Sequence, residues 1–180
     1  MDIEFVEGNQ SLLDWISPLW TKLNAHHRRK TRHFVAYYSQ LTFQKRKAAL
    51  LAKAQDGMMR VDLVKLKDGD DYIAYSVTTI SAAREGEIES IYVDEAYRKN
   101  GIGEALMQRA LVWLDRHRIK VRRVSVAAGN EDALDFYARY GFYTKLTTLE
   151  QVDRKQLVIA EGDGEAKPAA KRARKKKTID

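Results

Sequence analysis

Cysteine is absent from the sequence, which excludes disulfide bonds, thiolate metal sites and a cysteine nucleophile. The four histidines follow no recognised ligand spacing, so we interpret them as solvated or structural side chains and predict no metal site. No run approaches the roughly 18 apolar residues that span a bilayer, and the first four residues lack the basic and apolar regions of a secretion signal. We therefore expect a cytoplasmic protein that makes no membrane contact.

Two common phosphate-binding loops are also absent. The sequence has no Gly-x-x-x-x-Gly-Lys-Ser/Thr motif and no complete Gly-x-Gly-x-x-Gly dinucleotide loop, because the Gly101 to Gly103 step has Leu106 at the position of the third glycine. These absences exclude kinases, GTPases and dehydrogenases of the usual types.

The composition is that of one globular domain. The chain has 180 residues, 44% of them hydrophobic and 32% charged, which suits a single folded core. We predict a domain over residues 1–160. Residues 161–177 contain no apolar side chain larger than proline. Residues 161–180 carry seven Lys/Arg against four Asp/Glu and are predicted to be a disordered basic tail.

Hydrophobic periodicity predicts a mixed α/β order of elements. Strands are predicted at 3–6, 59–66, 72–80, 87–93, 121–127 and 142–149, and helices at 12–23 behind a Ser11 cap, 34–54, 101–117 and 131–139. In the helix over 34–54 the candidate buried residues are Tyr37, Leu41, Ala48 and Leu51. The Asp68-Gly69 step predicts a tight turn with positive φ angles, and hence a β-hairpin.

The segment from Ile91 to Gly103 combines a strand, a glycine-containing turn and the start of a helix. Glycines at 101 and 103 let the backbone approach a bulky anion, and the free N–H groups of the first helical turn point at it. We predict a pyrophosphate cradle in which backbone amides are the main donors. The side chain of Arg98 adds a charge-assisted contact, and Lys99 and Asn100 matter less.

Two segments resemble motifs of the GNAT superfamily of N-acetyltransferases. Arg98-x-x-Gly101-x-Gly103 is similar to the family's Arg/Gln-x-x-Gly-x-Gly/Ala signature, and the preceding strand also resembles the family's. The stretch from Asn130 to Phe142 is similar to its Asn-x-x-Ala-x-x-x-Tyr-x-x-x-Gly-Phe pattern. The resemblance covers residues 87–142, whereas residues 9–55 match no motif.

The resemblance implies an α/β (α+β) fold: a mixed, mostly antiparallel sheet flanked by helices, with a splayed parallel strand pair. It implies acetyl-CoA as co-substrate and direct transfer of the acetyl group to an amine in a ternary complex, without a metal. The residues implied to bind the cofactor are Ile91, Tyr92, Val93, Arg98, Lys99, Asn100, Gly101, Ile102, Gly103 and Asn130. A backbone N–H near 91–93 would stabilise the thioester oxygen. Asn130 is equally explained as a helix cap.

Tyr137 occupies the position of the family's tyrosine that protonates the departing CoA thiolate. A phenol with a pKa near ~10 stays protonated at neutral pH and can donate to a thiolate. The alternative is a tyrosine that only packs with Phe136 and Phe142, and the matching residues around it favour the catalytic role.

Glu87 and Glu89 are two apart on a predicted strand and therefore share one face, with Ile91 and Val93 expected on that same face. Two carboxylates beside an acceptor cleft could attract an ammonium or remove its proton, because an alkylammonium with a pKa near ~10.4 must be deprotonated before attack. Solvated surface carboxylates are the alternative.

Two other functions remain open from the sequence. One is an acyl-CoA-binding sensor without turnover, against which Tyr137 argues. The other is weak nucleic-acid contact through the basic run at 171–177, which could bind phosphates but lacks aromatic side chains for base recognition. The acceptor is undetermined, and a homodimer is possible.

Overall fold

The computed structural model describes residues 1–152. Its strands are β1 (Ile3–Gly8), β2 (Met58–Leu66), β3 (Tyr72–Ile80), β4 (Glu85–Val93) and β5 (Val121–Val124). Its helices are α1 (Ser17–Lys30), α2 (Val35–Gln40), α3 (Phe43–Lys53), α4 (Ile102–Arg116) and α5 (Asp132–Ala138), with 3₁₀ helices at Gln10–Ile16 and Glu95–Tyr97.

The described strands form one sheet in the order β1-β2-β3-β4-β5. The pairs from β1 to β4 are antiparallel, whereas β4 and β5 are parallel and joined by α4. Parallel neighbours need such a crossover connection. This confirms the predicted mixed, mostly antiparallel sheet, with its parallel pair where the sequence placed it.

Helices cover both faces of the sheet. On one face, Leu13, Trp20 and Leu50 of the first helical layer pack against alternating strand residues such as Leu63 and Tyr75. On the other face, α4 buries its apolar side: Ile102, Leu106, Met107, Ala110, Trp113 and Leu114. The period-2 pattern of the strands and the 3.6-residue pattern of α4 together produce this three-layer arrangement.

A buried carboxylate ties α4 to the sheet. Asp62 of β2 accepts hydrogen bonds from Arg60 Nε and Arg109 Nε, each at 2.7 Å, and its side chain is only 1% exposed. Both guanidinium groups also bind Glu7 of β1. Because Arg109 lies on α4, this network fixes the helix against the sheet as well as satisfying the buried charge.

The helical segments before β2 differ from the prediction. The Asn9 side chain, not Ser11, accepts the capping hydrogen bond, with Ser11 N at 3.0 Å. A 3₁₀ helix comes first, and α1 begins at Ser17 with Pro18 in its first turn, a position that tolerates a residue without an N–H. The predicted helix over 34–54 is divided because Thr42 caps a new helix by accepting from Lys45 N at 3.3 Å.

Burial in this segment also differs from the prediction. Tyr37, Ala48 and Leu51 are exposed and Leu41 is half-buried, whereas Phe43 and Leu50 are buried. The break at Thr42 shifts the phase of the helical pattern, so the buried stripe of α3 cannot be read by continuing the periodicity of α2.

The predicted hairpin of β2 and β3 is confirmed, but its turn is not a tight positive-φ turn. Residues 67–71 connect the strands, and Gly69 does not have a positive φ. The strand predicted at 121–127 ends at Val124. Residues 142–149 form no strand; Tyr143, Leu146 and Leu149 there are exposed.

Within the described part of the chain, no helix combines the length and apolar character that crossing a bilayer requires. The predicted tail at 161–180 and its basic run lie outside the described residues.

We predict that Asp62→Asn lowers the free energy of unfolding by about 3 kcal/mol, because removing one charge from a buried ion pair leaves its partners uncompensated. Urea unfolding followed by circular dichroism measures this loss. Asp68→Asn, in the exposed turn between β2 and β3, is the matched control and should stay within about 0.5 kcal/mol of the wild type. Equal stabilities for Asp62→Asn and the wild type would contradict the assigned role of the network.

Candidate active site

The parallel pair of β4 and β5 separates partway along β4. Pairing runs from Glu85↔Val121 to Ile88↔Val124 and stops there, while β4 continues to Val93. Beyond Ile88, the edge of β4 has no paired strand among the described residues. An unpaired strand edge offers a row of backbone donors and acceptors to an extended ligand.

A β-bulge in β4 lies at the point of separation. Ser90 is opposite Val77 and Ile88 is opposite Thr78, so Glu89 is the extra residue on its strand. The bulge changes which side chains face which layer. Glu87 and Glu89 share one face, as predicted, and this face is directed toward α3, but Ile91 and Val93 pack on the opposite face with α4. The expectation that all four residues share one face is wrong, because it assumed unbroken alternation.

A cleft of about 610 Å³ opens beside the free edge of β4. Its floor is formed by Ile91, Tyr92 and Val93. One wall comes from α1 through Leu23, His26 and Lys30, and the other from α5 and the loop before it. The remaining lining residues are Tyr97, Arg98, Lys99, Ile102, Gly103, Glu104, Asn130, Asp132, Ala133, Phe136 and Tyr137. The predicted cofactor residues Asn100 and Gly101 complete the turn at its end.

The N-terminus of α4 closes one end of this cleft. Gly101 is its N-cap in the left-handed region, with φ 77°, and no side chain caps the helix. Lys99 also has a positive φ of 65°, an uncommon value for a residue with a side chain. Left-handed residues such as these can direct neighbouring backbone N–H groups toward one point. The helix dipole adds positive potential at the same place.

The side chains of this turn hold the turn itself. Arg98 Nε donates to Val93 O at 3.0 Å, and its guanidinium stands 5.6 Å from the centre of the Tyr92 ring. Asn100 Nδ2 donates to the carbonyl oxygens of Tyr97 and Arg98, each at 3.2 Å. The backbone amides of the turn and of the first turn of α4, and the side chains of Arg98 and Lys99 that line the cleft, are the groups that can bind an anion here.

Tyr137 lines the cleft from α5. Its ring packs against Phe136 and Phe142, with ring centres 5.2 and 6.3 Å apart. Burial raises the pKa of its phenol to about 12, because the charged form loses hydration. The two expectations for Tyr137 are therefore compatible: the ring is packed, and the residue borders the cleft as a protonated phenol.

Asn130 also borders the cleft, but its side chain does not cap α5. Glu131 is the N-cap residue of α5, without a side-chain cap bond, so the capping explanation of Asn130 is wrong. Instead Asn130 Oδ1 lies 3.3 Å from His26 Nε2 of α1. Lys30 and Asp132 form a second bridge at 2.7 Å between the same two walls.

The loop before α5 approaches α1 very closely at Gly129. A Cβ at this position would lie 2.3 Å from the carbonyl oxygen of Lys30, so only glycine fits there without a shift of the backbone. Gly129 also has a positive φ of 91°. This contact and the two side-chain bridges hold α1 and the loop together across the gap between β4 and β5.

The two predicted carboxylates differ in exposure. Glu89 has a side-chain exposure of 2%, and it accepts from Arg46 Nη2 at 3.1 Å, Lys53 Nζ at 2.9 Å and Thr79 Oγ1 at 2.9 Å. Glu87 is 26% exposed and accepts from Lys53 Nζ at 2.8 Å and Ser125 Oγ at 3.1 Å. Since Ser125 directly follows β5, Glu87 marks the point where the strands part.

Several polar residues at the site were not predicted from sequence. Arg46 and Lys53 lie on α3, in a segment that matches no motif, and only the tertiary fold brings them to β4. The histidines were interpreted as solvated or structural, but His26 borders the cleft. Its neighbour His27 is partly buried; burial, together with the nearby His26, lowers the pKa of His27 to about 4, so it is neutral at physiological pH.

A mixed sheet whose parallel strands separate beside a glycine-capped helix defines a domain of the GNAT class. The chain belongs to the acetyltransferase (GNAT) family, which matches residues 10–142, and the resemblance stated from the sequence is confirmed. One relative, an uncharacterised N-acetyltransferase of Methanocaldococcus jannaschii, is 32% identical over 69 residues. That match covers 38% of this chain and spans only 30% of the relative's length.

Solved structures share the fold at low identity. The PaiA N-acetyltransferase of Thermoplasma acidophilum, solved with coenzyme A, has a TM-score of 0.61 at 18% identity, with 82% of this chain and 94% of that chain covered. A GCN5-related N-acetyltransferase of Ralstonia eutropha has a TM-score of 0.60 at 18% identity, covering 83% and 98%. The structure of AAC(6')-Iy with a CoA-linked bisubstrate analogue has a TM-score of 0.59 at 12% identity, covering 86% and 99%.

Proposed function

We propose that this protein is an N-acetyltransferase that moves the acetyl group of acetyl-CoA to an amine by direct attack in a ternary complex. The observation that carries the proposal is the arrangement around β4. The free edge of the separated strand borders a cleft that extends from the start of α4 to Tyr137, and the face of β4 that is directed toward α3 carries Glu87 and Glu89. Membership of the GNAT family supports the same reaction.

The residues of the cleft fit acetyl-CoA, which supplies an activated acetyl thioester when bound. The uncapped amides at the start of α4 suit its pyrophosphate, and Gly103 leaves room because a Cβ there would meet nothing closer than 3.7 Å. The free edge of β4 suits the amide groups of the pantetheine arm, which can pair with it as a strand would. A backbone N–H within 91–93 would polarise the thioester carbonyl.

Tyr137 is the proposed acid. Because burial keeps its phenol protonated up to a pH of about 12, the proton is available at any pH at which the protein would work. A thiolate leaving group, with a pKa near ~8.5 for its thiol, is the species that such a donor neutralises.

Glu87 is the better candidate for the base. Glu89 is enclosed by three donors and is nearly inaccessible, so we assign it the role of holding Arg46 and α3 against the bulge. Glu87 is partly open, lies where β4 and β5 part, and faces the side of β4 opposite to Tyr137. An acceptor amine arriving from the side of α3 would meet this carboxylate first.

The direct test of the reaction is a panel of amines incubated with acetyl-CoA, with the released thiol measured. Acetylated product with at least one amine, identified by mass spectrometry, is the expected result. Binding of acetyl-CoA without transfer to any amine would instead favour a non-catalytic acyl-CoA sensor.

We predict that acetyl-CoA raises the melting temperature of the wild type and fails to do so for Gly103→Glu. A carboxylate in the first turn of α4 suits the helix itself, so the variant should fold, but it repels the pyrophosphate. Gly69→Glu, in the turn between β2 and β3, adds the same charge away from the cleft and should keep the full shift. If acetyl-CoA raised the melting temperature of Gly103→Glu as much as that of the wild type, the start of α4 would not be the pyrophosphate-binding site.

We predict that Tyr137→Phe lowers kcat by roughly 10²–10⁴-fold with little change in affinity for acetyl-CoA, because only a positioned proton donor is lost. The defect should be the same from neutral pH to pH 9, since the pKa of Tyr137 is about 12. Tyr140→Phe, three residues further along the chain, is the matched control. Wild-type kcat in Tyr137→Phe would refute the acid role.

We predict different behaviour for the two glutamates in steady-state pH profiles. Glu87→Gln should lower kcat/KM at neutral pH by roughly 10²-fold, and the defect should shrink as pH rises because more of the acceptor is already neutral. Glu89→Gln should mainly lower stability, since a buried partner of Arg46 and Lys53 is lost. The opposite pattern, with the pH-dependent defect in Glu89→Gln, would transfer the base role to Glu89.

A further inference from the structure

The ammonium of Lys53 lies between the two carboxylates at the point where β4 and β5 part. Its Nζ donates to Glu87 Oε2 at 2.8 Å and to Glu89 Oε1 at 2.9 Å. Lys53 is the last residue of α3, and its side chain, 45% exposed, reaches the carboxylates from the solvent side. The protein thus places one of its own primary alkylammonium groups on the carboxylate proposed as the base.

Lys53 also balances the charge of this cluster. Glu87 and Glu89 contribute two negative charges, and Arg46 and Lys53 contribute two positive charges. Burial alone would lower the pKa of Lys53, but its hydrogen bonds to both glutamates outweigh that effect, and its pKa is raised. Lys53 therefore stays charged at neutral pH. With Lys53 in place, the cluster has no surplus negative charge with which to attract a cationic acceptor.

The position of Lys53 matches the position that the acceptor nitrogen must take. Ser125, bound to Glu87, follows directly after the last paired residue of β5. Tyr137 and Val124 both pack against the buried cluster that contains Ile88, on the opposite face of the sheet, and Ile88 and Val124 are the last pair of the two strands. An amine that reacts in the gap between β4 and β5, with Tyr137 on one side, must approach Glu87 from the side on which Lys53 now stands.

We infer that Lys53 is a tethered competitor of the acceptor: its side chain occupies the subsite for a primary alkylammonium, which the acceptor must displace. The inference rests on the proposed function and adds the substrate class, an amine that presents a primary ammonium on a flexible alkyl chain. The two carboxylate oxygens that hold Lys53 would hold the acceptor in the same way.

Displacement can occur by rotation of the Lys53 side chain alone. The turn after α3 lies directly against β3, because a Cβ on Gly57 would lie 2.0 Å from the carbonyl oxygen of Ile80. The Lys53 side chain is 45% exposed, so solvent beside it leaves room for this rotation. Arg46 and Thr79 continue to hold Glu89 when Lys53 leaves.

The test is a titration of propylammonium, a minimal primary alkylammonium, into the wild type and Lys53→Met at low ionic strength. A competitor that fills a subsite nine-tenths of the time weakens the apparent affinity about tenfold. Lys53→Met should therefore bind propylammonium about tenfold more tightly than the wild type in isothermal calorimetry. In Lys53→Met/Glu87→Gln the gain should disappear, because one carboxylate of the subsite is lost.

Two single variants complete the comparison. Lys47→Met removes a lysine of the same helix that pairs with Asp14, at 2.6 Å, outside the cluster, and should bind propylammonium as the wild type does. Lys53→Arg keeps the tethered cation and should give no gain. Circular dichroism of each variant shows that it is folded before its affinity is compared.

Turnover separates this inference from the proposed function. With any primary amine acetylated by the wild type, the KM of Lys53→Met for that amine should fall by a similar factor. Unchanged or weaker amine binding in folded Lys53→Met, with normal acetyl transfer by the wild type, would overturn the inference and leave the function intact. Tighter amine binding by Lys53→Met without acetyl transfer by either protein would contradict the proposed acetyltransferase function. It would still support the subsite for a primary alkylammonium.

Discussion

The end of hydrogen-bonded pairing between β4 and β5 is the constraint on which the rest of the site depends. Pairing stops at Ile88 and Val124, and the bulge at Glu89 follows at once. The separation frees the edge of β4, and the bulge directs the two glutamates to one layer and Ile91 and Val93 to the other. Without the bulge, strict alternation would put carboxylates and apolar residues on the same face, where the core could not accept both.

The two helical layers use this strand in different ways. On the α4 side, a helix start without a side-chain cap and the ring of Tyr137 border a cleft suited to an extended anionic ligand. On the α3 side, Arg46 and Lys53 neutralise the carboxylates. Arg46 and Lys53 are held differently. Arg46 donates to both the side chain and the backbone carbonyl of Glu89, whereas the more exposed Lys53 contacts only the carboxylates. Partly exposed ion pairs of the second kind are the ones most readily exchanged.

Several contacts join the two walls of the cleft where they meet. Gly129 lies against the last turn of α1, and the pairs His26–Asn130 and Lys30–Asp132 join the same elements. The Asp62 network joins α4 to β1 and β2. These contacts join α1 to the loop before α5 and α4 to the sheet without a ligand, and a preformed site of this kind would lower the entropic cost of binding the proposed co-substrate.

The sequence by itself determined strands β1 to β5, the crossover helix α4, the glycine-containing turn and the motif from Asn130 to Phe142 around Tyr137. These features depend on local periodicity and on residues close together in the chain. Its errors were also local: a break at Thr42, a pattern at 142–149 that forms no strand, and alternation assumed through the bulge. Only the tertiary structure brought Arg46 and Lys53 to Glu87 and Glu89, and His26 to Asn130. Such contacts join residues far apart in the chain, and no periodic pattern specifies which distant side chain will neutralise a buried charge.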